Sequence, residues 1–455
     1  MRLSAATLGR LAPGVERFAY DRKTQAAGIV HFGIGAFHRA HQAWYTDRAM
    51  DAGDRDWAIL GVSLRSAGVA EQMNPQDGLY SVIERSAAGS RARVVGAVGR
   101  VLVASREPEA AIAALAAAET RIVSFTITEK GYCRAPDGSL DPALAGSGSV
   151  FRFLAEGLRR RRDAGLPGLT LLSCDNLADN GRVLERLLAD YCARHDPALG
   201  EWIAANCACP ATMVDRIVPA TTETDRAEAA ALLGLDDAAA VMTEPFSQWV
   251  IEDRFAGPRP GWEAVGAQLV ADVAPYETAK LRMLNGAHSA LAYLGLERGH
   301  AFVHEAIADP VLRPLVERLM RREAATSFAA APGQDLAAYA DALLARFANP
   351  ALAHRLAQIA MDGSQKVPQR WLATLAAHQA RGERCPAILA ALGAWLRHLR
   401  GDGAPVDDPR AGELGAVVRA TGLRPAAEAL FGVGGLMASG WRPDEADLAA
   451  ISAAA

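Results

Sequence analysis

The sequence lacks the features of several large classes of protein. Its six cysteines include no Cys-x-x-Cys pair, so we expect reduced thiols rather than a disulfide framework. Lysine and arginine (48 residues) nearly balance aspartate and glutamate (52 residues), which gives no sign of a nucleic-acid partner. No run approaches the roughly 20 apolar residues of a membrane span, and the N-terminus has no apolar core of the signal-peptide type. We therefore expect a cytoplasmic protein with neither a nucleic-acid nor a membrane partner.

Metal-binding motifs are also missing. His38 and His41 lack the glutamate of a zincin helix, and His304 lacks a second histidine. Cys207 and Cys209 have no partner pair, which disfavours both a zinc site and a thiol-based redox protein. We therefore predict no bound metal.

What is present is a long chain of globular composition. It has 455 residues, of which 51% are hydrophobic and 22% are charged, so two or three domains are expected. Strand-like runs occupy residues 28–35, 57–64, 80–85, 93–103, 121–128 and 169–176. Several are continuously apolar, as in a parallel sheet that is covered on both faces. Helical patterns such as residues 108–119 and 181–195 separate many of these runs, which predicts an α/β, doubly wound, Rossmann-type domain.

The character of the sequence changes near Val273. Beyond it the strand signals fade, and alanine- and leucine-rich helical patterns continue to the end of the chain. We predict a dinucleotide-binding domain over residues 1–272 and a mainly α-helical domain over residues 273–455, which would bind the substrate in a cleft between the two.

A glycine pair follows the first long strand and opens a helical segment. Such a turn lets the backbone approach a pyrophosphate at a helix N-terminus, although histidine replaces the third glycine of the usual fingerprint. The residue that would hold the adenine ribose is normally acidic, but no carboxylate occurs after the second strand until Glu71, which leaves the choice between NAD and NADP open. The predicted cofactor-binding residues are Gly33, Gly35, Ala36, Phe37, His38 and Arg65.

Residues 277–295 read as an amphipathic helix that carries three polar side chains, Lys280, Asn285 and His288. At about 100° per residue, Asn285 lies ~140° and His288 ~80° around the axis from Lys280. Each alone has an ordinary structural explanation, namely a snorkelling lysine, a locally bonded amide and a core imidazole. Together they indicate a lysine that desolvation could turn into a base, with two hydrogen-bonding neighbours.

A series of stretches resembles a known family, the long-chain mannitol dehydrogenases, which are polyol-specific dehydrogenases and reductases. These stretches span residues 31–371 in order. They are "HFGIGAFHRAHQAWYTD", "TITEKGYC", "LLSCDNLADNG", "TMVDRIVPATT", "EPFSQWVIEDRF", "VGAQLVADVAPYETAKLRMLNGAHS" and "QIAMDGSQKVPQRW". Within the family, "MDGSQKVPQR" looks more like the fructuronate reductases (D-mannonate oxidoreductases) than the mannitol enzymes.

The resemblance implies a zinc-independent reaction with NAD as the cofactor. Lys280 would be the general base that takes the hydroxyl proton during oxidation and returns it during reduction. Asn176 and Asn285 would hydrogen-bond the reacting oxygen, His288 would position the substrate and the lysine, and Glu129 would line a proton path to solvent.

The expected activity interconverts a ketone and a secondary alcohol on an open-chain sugar derivative, with fructuronate and mannonate ahead of mannitol, arabinitol or sorbitol. A hexuronate has a carboxylate that Lys366 or Arg370 could bind, although both could be solvated helix residues. Asp215 and Arg216 are substrate candidates or, equally, a structural ion pair at a strand end. The remaining alternative is a non-catalytic nucleotide-binding protein, which the intact Lys280 argues against. We expect a small-molecule substrate and a monomer or weak homo-oligomer.

Overall fold

The structure is a computed structural model that describes residues 1–146, 148–401 and 403–453. It divides into two compact units, Met1–Val273 and Ala274–Ala455. The strands of the described residues all lie in the first unit and are numbered β1 to β12 in chain order. They are Glu16–Arg17, Ile29–Phe32, Ile59–Ser63, Tyr80–Ser86, Gly89–Val95, Val98–Val103, Ile122–Phe125, Thr170–Ser173, Thr212–Asp215, Val241–Thr243, Gln248–Glu252 and Gln268–Val270.

Helices surround these strands and are numbered α1 to α9 in the first unit. They are Ala36–Ala40, Gln42–Asp51, Gly68–Met73, Pro108–Ala116, Thr128–Gly131, Val150–Asp163, Asn180–His195, Pro197–Asn206 and Glu223–Leu233. Short 3₁₀ turns occur at Leu8–Arg10, Arg22–Thr24, Asn74–Gln76 and Trp262–Val265.

Five parallel strands form the main sheet of the first unit. Their spatial order is β6-β3-β2-β7-β8, and every neighbouring pair is parallel. The chain order along the sheet is therefore 3-2-1-4-5, as in the first five strands of a Rossmann fold. Strands β2, β7 and β8 are buried along their whole length, because helices cover both faces. The predicted α/β class with a doubly wound parallel sheet is confirmed.

The run at residues 93–103 departs from the prediction of a single strand. Strand β5 ends at Val95 and pairs antiparallel with β4, whereas β6 begins at Val98 and joins the parallel sheet. Between them the buried carboxylate of Asp47 accepts the N–H of Gly96 at 2.7 Å. The hydrophobic pattern continues across this break, so the sequence shows no boundary there.

Two smaller sheets complete the first unit. One has the order β1-β5-β4-β10 and mixes parallel and antiparallel pairs. The other has the order β12-β11-β9, with β11 parallel to β12 and antiparallel to β9.

The regular elements of the second unit are all helices among its described residues, as predicted. Its helices α10 to α21 are Ala274–Ala279, Gly286–Glu297, Val303–Ala308, Leu312–Arg318, Leu336–Phe347, Leu356–Ala360, Gly363–Val367, Ala373–Gln379, Pro386–Arg400, Ala411–Thr421, Leu423–Phe431 and Glu445–Ser452. A 3₁₀ turn lies at Pro350–Leu352. Three segments are π-helical, namely Lys280–Asn285, Leu319–Ala324 and Pro368–Leu372. Helix α11 lies in the core, with Ala287, Ala290, Leu291 and Leu294 buried among its neighbours.

Candidate active site

The loop after β2 contains the two glycines of the predicted cofactor site. Gly33 has a φ of +95°, and a Cβ there would lie 2.1 Å from the carbonyl oxygen of Thr126, so no other residue fits. Gly35 is exposed and directly precedes α1, and a Cβ there would meet only the carbonyl oxygen of Gly33, at 3.8 Å. The loop therefore leaves an open approach to the backbone, as a nucleotide cofactor requires.

His38, in the place of the third fingerprint glycine, faces the interior. Its ring stacks on His31 of β2, with 3.4 Å between the ring centroids, and burial holds the pKa of His38 well below its usual range. His31 in turn bonds Ser124 Oγ at 2.8 Å and Thr126 Oγ1 at 2.9 Å. Phe37 is half-buried and stacks on the ring of His41. The ring of His38 is therefore part of the core, and a contact of its backbone with the cofactor stays a prediction.

The loop after β3 contains no carboxylate. The strand ends at Ser63, whose hydroxyl donates to the carbonyl oxygen of Ser66 at 2.6 Å. Arg65 is exposed between them. A positive side chain therefore lies where enzymes specific for NAD usually have an acid.

Two further loops meet at the carboxyl end of the parallel sheet. Asp175, after β8, accepts the backbone N–H groups of Ile127 and Thr128 from the loop after β7, at 3.0 and 2.9 Å. The exposed residues Glu129 and Asn176 directly follow these bonded residues, so the structure brings these two predicted site residues to one edge. The sequence analysis did not include Asp175, Ile127 or Thr128 among the site residues. No sequence pattern indicates that a carboxylate bonds backbone amides 47 and 48 positions away.

Arg216 makes the contacts of a structural residue. Its buried guanidinium donates to the carbonyl oxygens of Ala40 at 2.6 Å and Glu244 at 2.9 Å, and it forms an ion pair with Glu84. Asp215 is also buried, at the end of β9. For Arg216 these contacts favour the structural alternative over a substrate role.

The helix that carries Lys280 is not a regular α-helix, which corrects the angles expected from the sequence. Helix α10, the π turn Lys280–Asn285 and helix α11 follow one another without a break. In a π turn the backbone bonds run between residues five positions apart, as from the N–H of Gly286 to the carbonyl oxygen of Leu281. Lys280 and Asn285 are therefore neighbours one turn apart, rather than ~140° apart as in an α-helix. Both are half-buried. Single π turns occur frequently at functional sites.

His288 lies on the same helix, about one α-turn beyond Asn285. Its ring is buried, 4.7 Å from the ring of Phe347 and 5.3 Å from that of His354. Burial, reinforced by His354 and by two nearby arginines, holds the pKa of His288 well below its usual range. The ring is therefore neutral, and among the described residues its Nε2 atom has no hydrogen-bond partner. A ligand hydroxyl could satisfy this nitrogen.

Arg370 reaches the π turn from a second π-helical segment. Its Nη1 atom donates to the carbonyl oxygen of Asn285 at 3.1 Å and to Ser289 Oγ at 2.7 Å. Burial lowers the pKa of Arg370 to about 10, so it remains a cation at neutral pH. The second unit thus groups Lys280, Asn285, His288 and Arg370.

Lys366, the other candidate for a substrate carboxylate, is tied to backbone. Its Nζ atom donates to the carbonyl oxygens of Ile359 and Met361, at and just beyond the end of α15. Burial lowers the pKa of Lys366. Lysine at a helix C-terminus is a common stabilising arrangement, so this side chain is not simply solvated.

Known protein families match both units. The mannitol dehydrogenase Rossmann domain matches residues 27–264, and the mannitol dehydrogenase C-terminal domain matches residues 272–428. The chain belongs to the mannitol dehydrogenase family. The resemblance found in the sequence is thereby confirmed, and the chain is an oxidoreductase whose Rossmann-type domain indicates a nucleotide cofactor.

Relatives within the mannitol dehydrogenase family differ in their substrates. D-mannonate oxidoreductase of Escherichia coli is 40% identical, over 97% of this chain and 95% of the relative. Mannitol 2-dehydrogenase of Pyricularia oryzae is also 40% identical, over 90% of this chain and 86% of the relative. The structure of Pseudomonas fluorescens mannitol 2-dehydrogenase, a ternary complex with NAD and D-mannitol, is 37% identical with a TM-score of 0.82, and the match covers 99% of this chain and 96% of that one.

Membrane-spanning helices and clusters of metal ligands were also sought in the structure. Across residues 1–146, 148–401 and 403–453, none of the helices combines the length and apolar content that crossing a bilayer requires. Within the same ranges, no three side chains of histidine, cysteine, aspartate or glutamate are grouped as ligands of a metal ion would be.

Proposed function

We propose that this chain is a cytoplasmic, NAD-dependent fructuronate reductase, which interconverts D-fructuronate and D-mannonate. The observation that carries the proposal is the half-buried cation of Arg370 beside the π turn of Lys280. A neutral polyol has no negative charge to pair with this guanidinium, whereas a hexuronate has a carboxylate. Apart from the two bonds of Nη1, no hydrogen bond of this guanidinium is found within the described part of the chain, so Nε and Nη2 can serve a ligand.

For the remaining site residues we propose the roles that the resemblance to the mannitol dehydrogenase family implies. Lys280 exchanges the hydroxyl proton, and its π turn keeps Asn285 on the same side of the helix. The amides of Asn285 and Asn176 donate to the reacting oxygen and stabilise the charge that develops on it. The neutral ring of His288 binds a substrate hydroxyl, and Glu129 passes protons to solvent. Bound NAD supplies the hydride acceptor, held by the backbone of Gly33, Gly35, Ala36, Phe37 and His38.

The preference for NAD over NADP is supported by similarity rather than by the ribose loop. A 37% identical member of the family was solved with NAD. The exposed side chain of Arg65 would not repel a 2′-phosphate, so we expect discrimination between the two cofactors to be loose.

A second candidate is mannitol 2-dehydrogenase. Relatives with that name are as similar to this chain as D-mannonate oxidoreductase is. In that case Arg370 would only stabilise the π turn, through its hydrogen bond to the carbonyl oxygen of Asn285.

A panel of substrates separates the two candidates. Reduction of fructuronate, tagaturonate and fructose should be followed with NADH and NADPH, together with oxidation of mannonate and mannitol. We expect the highest kcat/KM for fructuronate with NADH. A higher kcat/KM for fructose and mannitol would favour the polyol activity, and a preference for NADPH would overturn the choice of cofactor.

A further inference from the structure

The turn after β7 is held in an uncommon backbone conformation. Thr128 has a φ of +63°, in the left-handed region that β-branched residues rarely enter. A residue remains in such a conformation only when its surroundings compensate for the strain. Glu129, for which the proposed function assigns a proton path, is the next residue.

The carboxylate of Asp175 provides this compensation. Its two oxygens accept two consecutive amides, from Ile127 at 3.0 Å and from Thr128 at 2.9 Å. The hydroxyl of Tyr132 donates to the same carboxylate at 2.9 Å and lies 2.6 Å from Ser173 Oγ. Three donors from one short segment therefore converge on a single side chain.

Asp175 is itself fixed from the opposite side. Its carbonyl oxygen accepts Nδ2 of the buried Asn180 at 3.0 Å. The Asn180 side chain also bonds the backbone carbonyl oxygen and N–H of Thr212, each at 2.9 Å, which anchors it to strand β9. The position of the carboxylate is thus set by the body of the first unit, and the turn follows it.

We propose that Asp175 is a positioning residue, which holds the turn of Thr128 and Glu129 in the conformation that proton transfer requires. The inference rests on the proposed function, in which Glu129 passes protons to solvent and Asn176 binds the reacting oxygen. Glu129 directly follows one bonded residue and Asn176 directly follows Asp175, so one carboxylate orients both. Asp175 itself touches neither substrate nor cofactor in this role.

The first test replaces the carboxylate by its isosteric amide, Asp175→Asn. Asparagine has one acceptor oxygen where the carboxylate has two, so one of the two amides loses its partner and the turn can leave the left-handed region. We expect kcat for fructuronate reduction to fall at least tenfold, while the Kd of NADH from fluorescence titration stays within twofold. The control is Asp137→Asn, an exposed carboxylate that accepts the N–H of Ser139 in the same unit, which should retain kcat within twofold.

The second test asks whether the loss acts through Glu129. We expect Glu129→Gln to alter the pH profile of kcat. If the loss in Asp175→Asn acts through Glu129, this variant should show the same altered profile, and the double variant should be no slower than the slower single variant. Adding Thr128→Gly to Asp175→Asn should recover at least threefold in kcat, because glycine enters the left-handed region without strain. Multiplicative losses in the double variant, or no recovery with glycine, would overturn the inference.

Failure of the inference and failure of the proposed function look different. An impaired Glu129→Gln enzyme beside a normal Asp175→Asn enzyme overturns only the inference. A normal Glu129→Gln enzyme contradicts the role of Glu129 in the proposed function, and the inference falls with it. If Asp175→Asn does not fold, Tyr132→Phe serves as the test, because it removes one of the three donors to the Asp175 carboxylate. This variant should lower kcat two- to fivefold and change the pH profile of kcat in the same way as Glu129→Gln. An unchanged pH profile would overturn the inference.

Discussion

Lys280 opens the π turn directly after the buried Ala279. In the proposed reaction its neutral amine accepts the hydroxyl proton during oxidation, and the resulting ammonium group returns a proton during reduction. General acid–base catalysis contributes ~10²- to 10⁴-fold in rate. We therefore predict that Lys280→Ala lowers kcat by at least ~10²-fold and leaves the Kd of NADH, measured by fluorescence titration, within twofold. Lys23→Ala, at an exposed position in the first unit, is the control and should behave as the native enzyme. Near-native turnover in Lys280→Ala would refute the assignment.

The charge of Arg370 should matter more for a sugar acid than for a neutral ketose. A hydrogen bond to an ionised group contributes ~1.5 to 3 kcal/mol. Arg370→Met should therefore lower kcat/KM for fructuronate about ten- to a hundredfold more than for fructose. The matched control is Ser289→Ala, which removes one contact of the guanidinium but leaves its charge, and it should affect both substrates equally. Equal losses on the two substrates in Arg370→Met would remove the carboxylate role.

The buried histidines of the first unit make its stability depend on pH. Burial lowers the pKa of His31 to about 3 and holds that of His38 well below its usual range. The unfolded chain takes up these protons below about pH 6.5, whereas the folded chain does not. The contribution of the two neutral histidines to the free energy of unfolding is therefore fully present above pH 6.5. It falls as the pH drops toward 3, by about 1.4 kcal/mol per pH unit for each histidine.

The measurement is urea unfolding at pH 7.5 and pH 5.0. His38→Phe should reduce the loss of unfolding free energy between these values by about 2 kcal/mol. His195→Gln, at an exposed position, should leave it unchanged. A His38→Phe protein with the native pH dependence would show that the ring is protonated inside the fold.

At the scale of elements, the sequence predicted most of the secondary structure but not its irregularities. Continuous apolar runs identified β2, β7 and β8, because burial on both faces leaves such runs. The apolar spacing of residues 277–295 identified a helix, but the π turn within it is set by tertiary packing and leaves little trace in the hydrophobic period. The carboxylate of Asp175 escaped prediction for a related reason, since its partners lie far away in sequence.

The register across the π turn can be changed by one inserted residue. An alanine inserted after Leu281 would place Lys280 and Asn285 six positions apart, which is ~120° around an α-helix, so Lys280 should turn away from Asn285 and His288. We predict that kcat falls at least ~10²-fold, the loss that a displacement of about 1 Å can cause, while the helical circular dichroism is retained. An alanine inserted after Arg322, in the π segment Leu319–Ala324, is the control and should lower kcat less than tenfold. Equal activity of the two insertion variants would show that the π turn of Lys280 has no role in the reaction.

The whole molecule should report its cofactor through its stability. A ligand that binds only the folded state stabilises it by ~2.7 kcal/mol at a hundredfold excess over Kd. For domains of this size that corresponds to a rise in Tm of about 5 to 10 °C. We predict a larger rise in Tm with NADH than with NADPH at equal concentration, measured by thermal scanning. Arg65→Asp should widen this difference, because a carboxylate would repel the 2′-phosphate of NADPH. A smaller difference in Arg65→Asp would contradict the view that Arg65 tolerates the 2′-phosphate. Equal shifts in the native protein would mean that the two cofactors are not distinguished.

The mixed sheet of the first unit cannot be completed until late in the synthesis of the chain. Val82 of β4 pairs with Val241 of β10, so one side of β4 has no neighbour until the ribosome has added everything between them. At roughly 5 to 20 residues per second this takes about 8 to 30 s. For that time a hairpin of β4 and β5 presents an open strand edge, the kind of surface on which nascent chains aggregate. Protection of that edge until β10 has been made would therefore favour folding of the first unit over aggregation.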